Sequence, residues 1–306
     1  MRTVVIGSGS WGTALAQVLQ DNHQEVMVYG VAENEVNDIN ENHKNSKYFG
    51  DVELNPELKA TTDIECVKGA DIVLLAVPTI AIDPICHQIN DLLEKKTIII
   101  NVSKGFHPET NERMSQVIRR CIDEDKLSSV VSLIGPSHAE EVVIRLLTTI
   151  DAISLKNEDA LTVQNLFSNQ YLRIYTGNDE IGSELGVAIK NVMAIASGIL
   201  SGLGYQDNTR AALITRGLQE MIRYGVHFGG QQKTFMGLTG IGDLIVTCTS
   251  VHSRNFEAGY QIGKETDPYY KNVVLLDADS ILRLHLNREP RSYRKNRSSC
   301  CERKWY

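Results

Sequence analysis

The sequence has 306 residues and a formal net charge of −7 with a pI of about 5.7, so we do not expect nucleic acid as its main partner. Hydrophobic residues make up 42% and charged residues 23%, a balance typical of a globular protein with room for two domains. No apolar stretch approaches the roughly 18 uninterrupted residues of a membrane span, and the N-terminal apolar run is too short for a secretory signal, so no membrane partner is expected.

The cysteines indicate a reducing compartment. They lie at positions 66, 86, 121, 248, 300 and 301, and no two have C-x-x-C spacing. This pattern suggests neither a zinc site nor a disulfide framework, so we expect no metal and a cytoplasmic location.

The first predicted element is the short strand Val4-Val5-Ile6, which leads directly into Gly7-Ser8-Gly9-Ser10-Trp11-Gly12 and a predicted amphipathic helix. Strand, glycine turn and helix form the context in which G-x-G-x-x-G predicts a dinucleotide site. Gly7 permits the turn, Gly9 lets the backbone approach a diphosphate, and Gly12 lets the helix pack closely on the strand. The helix N-terminus then directs unpaired N–H groups at the diphosphate.

Short β-branched runs alternate with helical patterns over about the first 176 residues, which predicts a parallel, doubly wound sheet of the Rossmann type. After the first strand, the predicted strands are residues 26–29, 71–78, 97–102, 130–134, 147–155 and 171–175.

Helical periodicity takes over from about residue 179 and continues through Phe228. The segment Ile181 to Leu203 is long and almost uncharged, which predicts a buried central helix. We therefore predict a dinucleotide-binding domain over 1–179 and a smaller all-helical substrate domain over 180–264. Residues 265–306 are an atypical tail with a basic run at 288–297, and we expect this tail to be poorly ordered and readily trimmed by protease.

Lys190 is the most unusual residue of the central helix, because apolar residues surround it. Burying an ammonium is costly unless the group is paired or its pKa falls. A surface lysine that snorkels is the alternative. A buried lysine with a lowered pKa is what a general acid/base for an alcohol–ketone interconversion requires.

Polar triplets end two of the predicted strands, namely Ser103-Lys104-Gly105 and Gly135-Pro136-Ser137. Both are expected to line the crevice beside the glycine turn, because ligands of parallel sheets bind beyond the carboxyl ends of the strands. Further along, Gly237 to Leu244 is dense in glycine and carries Asp243. It precedes Ser253-Arg254-Asn255, whose guanidinium and amide suit a phosphate monoester.

Taken together in order, these motifs resemble the NAD(P)-dependent sn-glycerol-3-phosphate dehydrogenases of bacteria. The matching segments are GSGSWGTA (7–14), NHKNSKYF (42–49), SKG (103–105), GPSHAEEV (135–142), ELGVAIKNVMA (184–194), DNTRAALITRG (207–217), residues 237–244 and SRN (253–255). The resemblance runs from residue 1 to about 264. It implies a cytoplasmic oxidoreductase that supplies glycerol 3-phosphate to phospholipid synthesis, and it leaves a homodimer open.

The resemblance also implies residue roles. Lys190 would be the proton acceptor and donor, Lys104 would reach both substrate and nicotinamide, and Asp243 would complete the catalytic group. The other implied substrate contacts are Gly135, Ser137, Asn208, Ser253, Arg254 and Asn255. Apart from Lys104, the implied cofactor contacts are Gly7, Gly9, Ser10, Trp11, Gly12, Val31, Tyr48, Ala139 and Arg254.

Two departures from the family pattern keep alternatives open. The second strand ends at Gly30-Val31 with neither an acid for NAD nor an arginine for NADP, and Glu33 lies slightly late, so NAD and NADP both remain candidates. Past residue 264 the family's helices and a V-E-G-like cofactor contact cannot be recognised. The alternatives are therefore a related hydroxy acid dehydrogenase, or a dinucleotide-binding protein inactivated by its altered C-terminus.

Overall fold

An eight-stranded sheet forms the frame of the protein in the computed structural model, which describes residues 1–265. Its strand order is β3-β2-β1-β4-β5-β6-β7-β8. The strands are β1 (Arg2–Ile6), β2 (Glu25–Tyr29), β3 (Lys59–Thr61), β4 (Ile72–Leu75), β5 (Thr97–Asn101), β6 (Leu127–Ile134), β7 (Thr148–Ile153) and β8 (Leu172–Gly177). All seven predicted strands are therefore present, and only the three-residue edge strand β3 had no sequence prediction.

The central strands are buried on both faces, which explains why their sequences are apolar throughout rather than alternating. Along β1, Val5 belongs to one apolar cluster, whereas Val4 and Ile6 belong to a second. In β4, Leu74 joins the first cluster and Leu75 the second. The sheet thus separates two layers of core.

Two neighbouring strands, β7 and β8, run opposite to the other six. β6 and β7 pair antiparallel, while every other neighbouring pair among the described strands is parallel. The connecting helix α6 (Ala139–Val143) has five residues and rises only about 8 Å. A β7 parallel to β6 would require the chain to travel about 26 Å back, to the level at which the eight-residue β6 begins. The chain therefore turns back instead of crossing over. The predicted parallel, doubly wound sheet is confirmed, with β6–β7 as its one antiparallel pair among the described strands.

The remaining α-helices of the described residues cover the sheet or form the helical part that follows it. They are α1 (Ser10–Asp21), α2 (Glu33–Asn37), α3 (Ser46–Phe49), α4 (Thr79–Asn90), α5 (Met114–Cys121), α7 (Asn157–Phe167), α8 (Glu180–Gly202), α9 (Asp207–His227), α10 (Gln232–Phe235), α11 (Asp243–Thr249) and α12 (Arg254–Glu265). The central helix α8 packs against α9 and α11, as predicted for a buried helix.

Within residues 1–265, α8 alone is long and apolar enough to cross a membrane by length and composition. Most of its residues are buried inside the protein, Lys190 among them. Its apolar character is that of a core helix enclosed by α9 and α11.

Residues 1–264 form one compact unit. The division into domains at residue 180 stays a prediction. Apart from Glu265, the predicted poorly ordered tail lies outside the described residues, as does the segment in which the family's C-terminal motifs were not recognised.

Candidate functional site: a glycine loop and a buried lysine

The glycine turn between β1 and α1 has the geometry that each glycine was predicted to supply. Gly7 has a φ of +117°, in the left-handed region that favours glycine, and its N–H donates to the Tyr29 carbonyl at 2.8 Å. A Cβ on Gly12 would lie 2.0 Å from the Gly7 oxygen, so only glycine allows this approach. A Cβ on Gly9 would meet no atom within 4 Å. The backbone at Gly9 therefore faces open space.

The start of α1 suits a dinucleotide diphosphate. No side chain caps its N-terminus, so its first N–H groups remain for a ligand. Ser10 and Trp11 lie half-buried in this first turn, and the buried Trp11 Nε1 has no hydrogen-bond partner within the described residues. Val31 and Tyr48 are exposed on the β2 side of the loop. The open cradle and the uncapped helix fit the cofactor that the sequence predicted.

A second group centres on Lys190, which is only 3% exposed. Its Nζ lies 2.5 Å from Asp243 Oδ1 and donates a hydrogen bond to Thr247 Oγ1 at 2.7 Å. Thr247 in turn donates to the Asp243 carbonyl at 2.6 Å. The lysine is therefore a buried, paired residue, and the alternative of a snorkelling surface lysine is wrong.

A second lysine approaches the same carboxylate. Lys104 Nζ lies 3.4 Å from Asp243 Oδ2 and 3.4 Å from the carbonyl oxygen of Gly135. The pKa of Lys190 falls to about 7, mainly because the ammonium is buried and also because the Lys104 charge is near, while Asp243 acts in the opposite direction and raises it. Lys190 can therefore exchange a proton near neutral pH.

The glycine-dense segment before Asp243 is explained by close packing. A Cβ on Gly240 would lie 2.1 Å from the Phe235 carbonyl oxygen, and one on Gly186 of α8 would lie 2.7 Å from the Thr239 oxygen. Leu238–Gly242 forms a π-helical turn against α8. This packing brings Asp243, the first residue of α11, to Lys190.

The N-terminus of α12 adds a site for an anion. The Ser253 hydroxyl accepts a hydrogen bond from the N–H of Phe256 at 3.2 Å, and Arg254 and Asn255 form the first turn. An anion is stabilised here by the helix dipole and by the guanidinium.

Lys190 and the N-terminus of α12 open onto one cavity of about 410 Å³, a size typical of small-molecule sites. Its lining residues are Lys104, Ser137, His138, Lys190, Thr247, His252, Ser253, Arg254 and Asn255. Six of these nine were candidate site residues from the sequence. Asp243 and Gly135 contact the cavity lysines directly.

Other candidates lie elsewhere. Asn208 is exposed in the first turn of α9 and is not among the residues that line this cavity, and Ala139 is buried at the start of α6. Their implied roles stay predictions.

Sequence reasoning missed three cavity residues, Thr247, His138 and His252. Thr247 lies one helical turn after Asp243, a spacing that could have revealed it. The rings of His138 and His252 are 5.7 Å apart, burial lowers the pKa of His138, and its buried Nε2 has no partner in the described part of the chain.

One group of side chains among residues 1–265 has ligand atoms close enough for a metal ion, namely Asp83, His87 and Cys121. These residues do not line the cavity. Arg120 already donates to Asp83 at 2.8 Å, and burial raises the pKa of Cys121 to about 11, which favours the thiol over the thiolate ligand. The arrangement is therefore not prepared for a cation.

The glycine loop and the Lys190 cavity both lie in segments that match known proteins. The family model for the N-terminus of NAD-dependent glycerol-3-phosphate dehydrogenase matches residues 2–160, and the model for its C-terminus matches residues 179–274. The chain belongs to this family. The glycine loop falls in the first match, and Lys190, Asp243 and the α12 N-terminus fall in the second.

Individual glycerol-3-phosphate dehydrogenases are similar to this chain over most of its length. The glycerol-3-phosphate dehydrogenase [NAD(P)+] of Listeria innocua is 51% identical over 264 residues, covering 86% of this chain and 78% of the relative. That of Macrococcus caseolyticus is 48% identical over 265 residues, covering 86% and 80%. The crystal structure of the Coxiella burnetii enzyme has a TM-score of 0.82 at 32% identity, covering 93% of this chain and 89% of that one.

Proposed function

We propose that this member of the family interconverts dihydroxyacetone phosphate and sn-glycerol 3-phosphate with NAD(P)H, using Lys190 as the proton donor and acceptor. The observation that carries the proposal is the buried Lys190–Asp243 pair, which opens onto the same cavity as the α12 N-terminus. A titrating amine and an anion site in one cavity suit a substrate that carries both a reacting carbonyl and a phosphate. The product would supply glycerophospholipid synthesis.

In the direction of ketone reduction, the Lys190 ammonium gives a proton to the oxygen on C2 as that oxygen becomes an alkoxide. In the reverse direction, the neutral amine takes the proton from the hydroxyl. Asp243 holds the amine in place and compensates its charge when protonated. Proton transfer by a positioned group with a pKa near the working pH is the efficient case of general acid–base catalysis.

Lys104 contributes charge to the same reaction. Its ammonium, 3.4 Å from Asp243, keeps positive charge in the cavity where negative charge develops on the substrate oxygen. The diphosphate of the cofactor would be held by the backbone at Gly9 and the first turn of α1. When bound there, the nicotinamide supplies or accepts the hydride.

The phosphate end of the substrate would be held by Ser253, Arg254 and Asn255. We expect Arg254→Ala to lower kcat/KM for dihydroxyacetone phosphate by about 10- to 150-fold, equivalent to a charge-assisted hydrogen bond of about 1.5–3 kcal/mol. Steady-state rates with dihydroxyacetone phosphate and with unphosphorylated dihydroxyacetone measure the effect. The unphosphorylated substrate should be poor for the parent and little changed by the substitution.

Arg223→Ala is the control for Arg254→Ala, because Arg223 is an exposed arginine of α9 paired with Glu220. Its kinetics should match those of the parent. Equal losses with the phosphorylated and unphosphorylated substrates in Arg254→Ala would remove Arg254 from phosphate recognition.

The pH dependence should have opposite signs in the two directions. Ketone reduction needs the Lys190 ammonium, so kcat/KM should fall as the pH rises through about 7. Alcohol oxidation needs the neutral amine, so kcat/KM should rise over the same range. Because the substrate phosphate titrates alike in both directions, opposite slopes isolate Lys190. Parallel profiles in the two directions would contradict its role.

A hydroxy acid dehydrogenase and an inactive dinucleotide-binding protein are the competing functions. A substrate panel at saturating NADH or NADPH separates them. Turnover of dihydroxyacetone phosphate alone supports the proposal, turnover of hydroxy acids or their keto forms supports the first rival, and tight cofactor binding without turnover supports the second.

We further propose a cytoplasmic location and a homodimer. The four cysteines of the described residues are free thiols, which suits a reducing compartment. The dimer rests on the family resemblance, and sedimentation of the purified protein tests it.

A further inference from the structure

A buried carboxylate contacts the glycine loop from the side of β2. Glu35 of α2 is 7% exposed, and its Oε2 accepts a hydrogen bond of 2.6 Å from the hydroxyl of Ser8, which lies between Gly7 and Gly9. Its Oε1 lies 2.6 Å from Nζ of Lys47, the second residue of α3, whose side chain is 60% exposed. One oxygen of Glu35 therefore faces the loop, and the other faces an accessible ammonium.

Asn45 fixes this arrangement against the loop. It is 1% exposed, and its Nδ2 donates to the Ser8 carbonyl at 2.8 Å and to Thr13 Oγ1 at 2.9 Å. Asn45 immediately precedes α3, so both the backbone and the side chain of Ser8 connect the loop to the segment that carries Lys47. The Glu35–Lys47 pair therefore has a defined position beside the loop that would hold the diphosphate.

The end of β2 carries no charge of its own. In Rossmann-type proteins this position usually holds an acid for the ribose 2′-hydroxyl of NAD, or an arginine lies nearby for the 2′-phosphate of NADP. Here Gly30, Val31 and Ala32 follow the strand, and Val31 is 85% exposed. A Cβ on Gly30 would lie 2.5 Å from Ser8 Oγ, so the strand end lies directly against the Ser8–Glu35 contact.

We propose that the Glu35–Lys47 pair sets the preference between NAD and NADP, with Glu35 favouring the 2′-hydroxyl of NAD and Lys47 favouring the 2′-phosphate of NADP. The inference rests on the proposed function as an NAD(P)-dependent dehydrogenase. An ionised carboxylate accepts a hydrogen bond from a hydroxyl and repels a phosphate. The exposed Lys47 side chain can turn from Glu35 to a phosphate with little rearrangement of the chain.

The preference between NAD and NADP depends on both charges, because Glu35 favours one cofactor and Lys47 favours the other. Hydrogen bonding to Glu35 raises the pKa of Lys47, so the ammonium stays charged across the physiological range. Removing one charge should therefore shift the preference in one direction, and removing the other should shift it in the opposite direction. Removing both should return it toward the parent value.

The test compares Glu35→Gln, Lys47→Gln and the double variant. Equilibrium fluorescence titrations give the Kd for NADH and NADPH, and steady-state kinetics give kcat/KM with each. We expect Glu35→Gln to raise the preference for NADPH over NADH by about tenfold and Lys47→Gln to lower it by about tenfold, as for one charge-assisted hydrogen bond. Glutamine keeps the acceptor for Ser8, so the loop contact is preserved.

Two controls match the charges that are removed. Glu33→Gln changes an exposed acid at the start of the same helix, which lies slightly late in the sequence for a ribose contact. Lys44→Gln changes a lysine of the same segment that pairs with Asp51 at 3.1 Å instead of Glu35. Neither control should shift the preference. A shift in Glu33→Gln in place of Glu35→Gln would overturn the proposal.

Unchanged Kd ratios in both single variants would also overturn the proposal. Equal weakening of both cofactors would mean that the pair only holds the loop in shape. If Glu35→Gln does not fold, the ratio of Kd values for NADH and NADPH in Lys47→Gln still tests the proposal, because Lys47 is exposed. Shifted Kd ratios in a protein that does not reduce dihydroxyacetone phosphate would preserve this inference while removing the proposed function.

Discussion

Replacing Lys190 by alanine should lower kcat for dihydroxyacetone phosphate reduction by about 10²- to 10⁴-fold while leaving NAD(P)H affinity nearly unchanged. The loss is expected because Lys190 is the titrating group at the cavity, with a pKa of about 7. The affinity should persist because the glycine loop belongs to α1 and the sheet. Steady-state rates and equilibrium cofactor titration measure the two effects separately.

Lys233→Ala is the control for that experiment, because Lys233 is an exposed lysine of α10 that does not line the cavity. It should keep the parent kcat. If Lys190→Ala retained more than half of the parent kcat, Lys190 would have no part in proton transfer.

Asp243→Asn should be strongly destabilising, by about 3–5 kcal/mol, because it leaves a buried ammonium without its counter-charge. The substitution should also lower the pKa of Lys190 further, since Asp243 is the group that raises it. Above that pKa the amine is neutral, so the loss of unfolding free energy should be larger at pH 6 than at pH 9. Urea unfolding at the two pH values measures the difference.

The matched control is Asp207→Asn. Asp207 is the first residue of α9, as Asp243 is of α11, but its side chain is exposed and pairs with Arg210 at the surface. Exposed pairs of this kind contribute about 0–1 kcal/mol, so little change is expected. Equal costs for the two substitutions would mean that the Asp243 carboxylate does not compensate the buried lysine.

The elements and the chemical residues were predictable because their signals are local. The apolar run of β4, the glycines after β1 and the single lysine inside α8 can each be recognised from neighbouring residues. Six of the nine cavity residues were found in the same way, from motifs whose spacing is short. These parts of the molecule depend on period and composition, which a sequence displays directly.

The remaining features depend on contacts between distant residues. The reversal at β7 follows from the length of α6 relative to β6, which requires knowing where both elements end. By spacing, Glu33 lay slightly late for the ribose and no acid was assigned to it, whereas the structure buries Glu35 against Ser8, 27 positions earlier. The orientation of α2 against the loop decides which of the two acids is buried, and neither residue type nor spacing carries that information.

The partners of Lys190 have a consequence for which of its protons can move. The Asp243 carboxylate is an acceptor, and Thr247 also accepts, because its own hydroxyl hydrogen is committed to the Asp243 carbonyl. Two hydrogens on Lys190 Nζ therefore face fixed acceptors, whether the group is an ammonium or a neutral amine. The third position is a hydrogen in the ammonium and a lone pair in the amine. Rotation about the last bond of Lys190 is held by these two acceptors, so loss of the Thr247 hydroxyl would misdirect the lone pair without removing it.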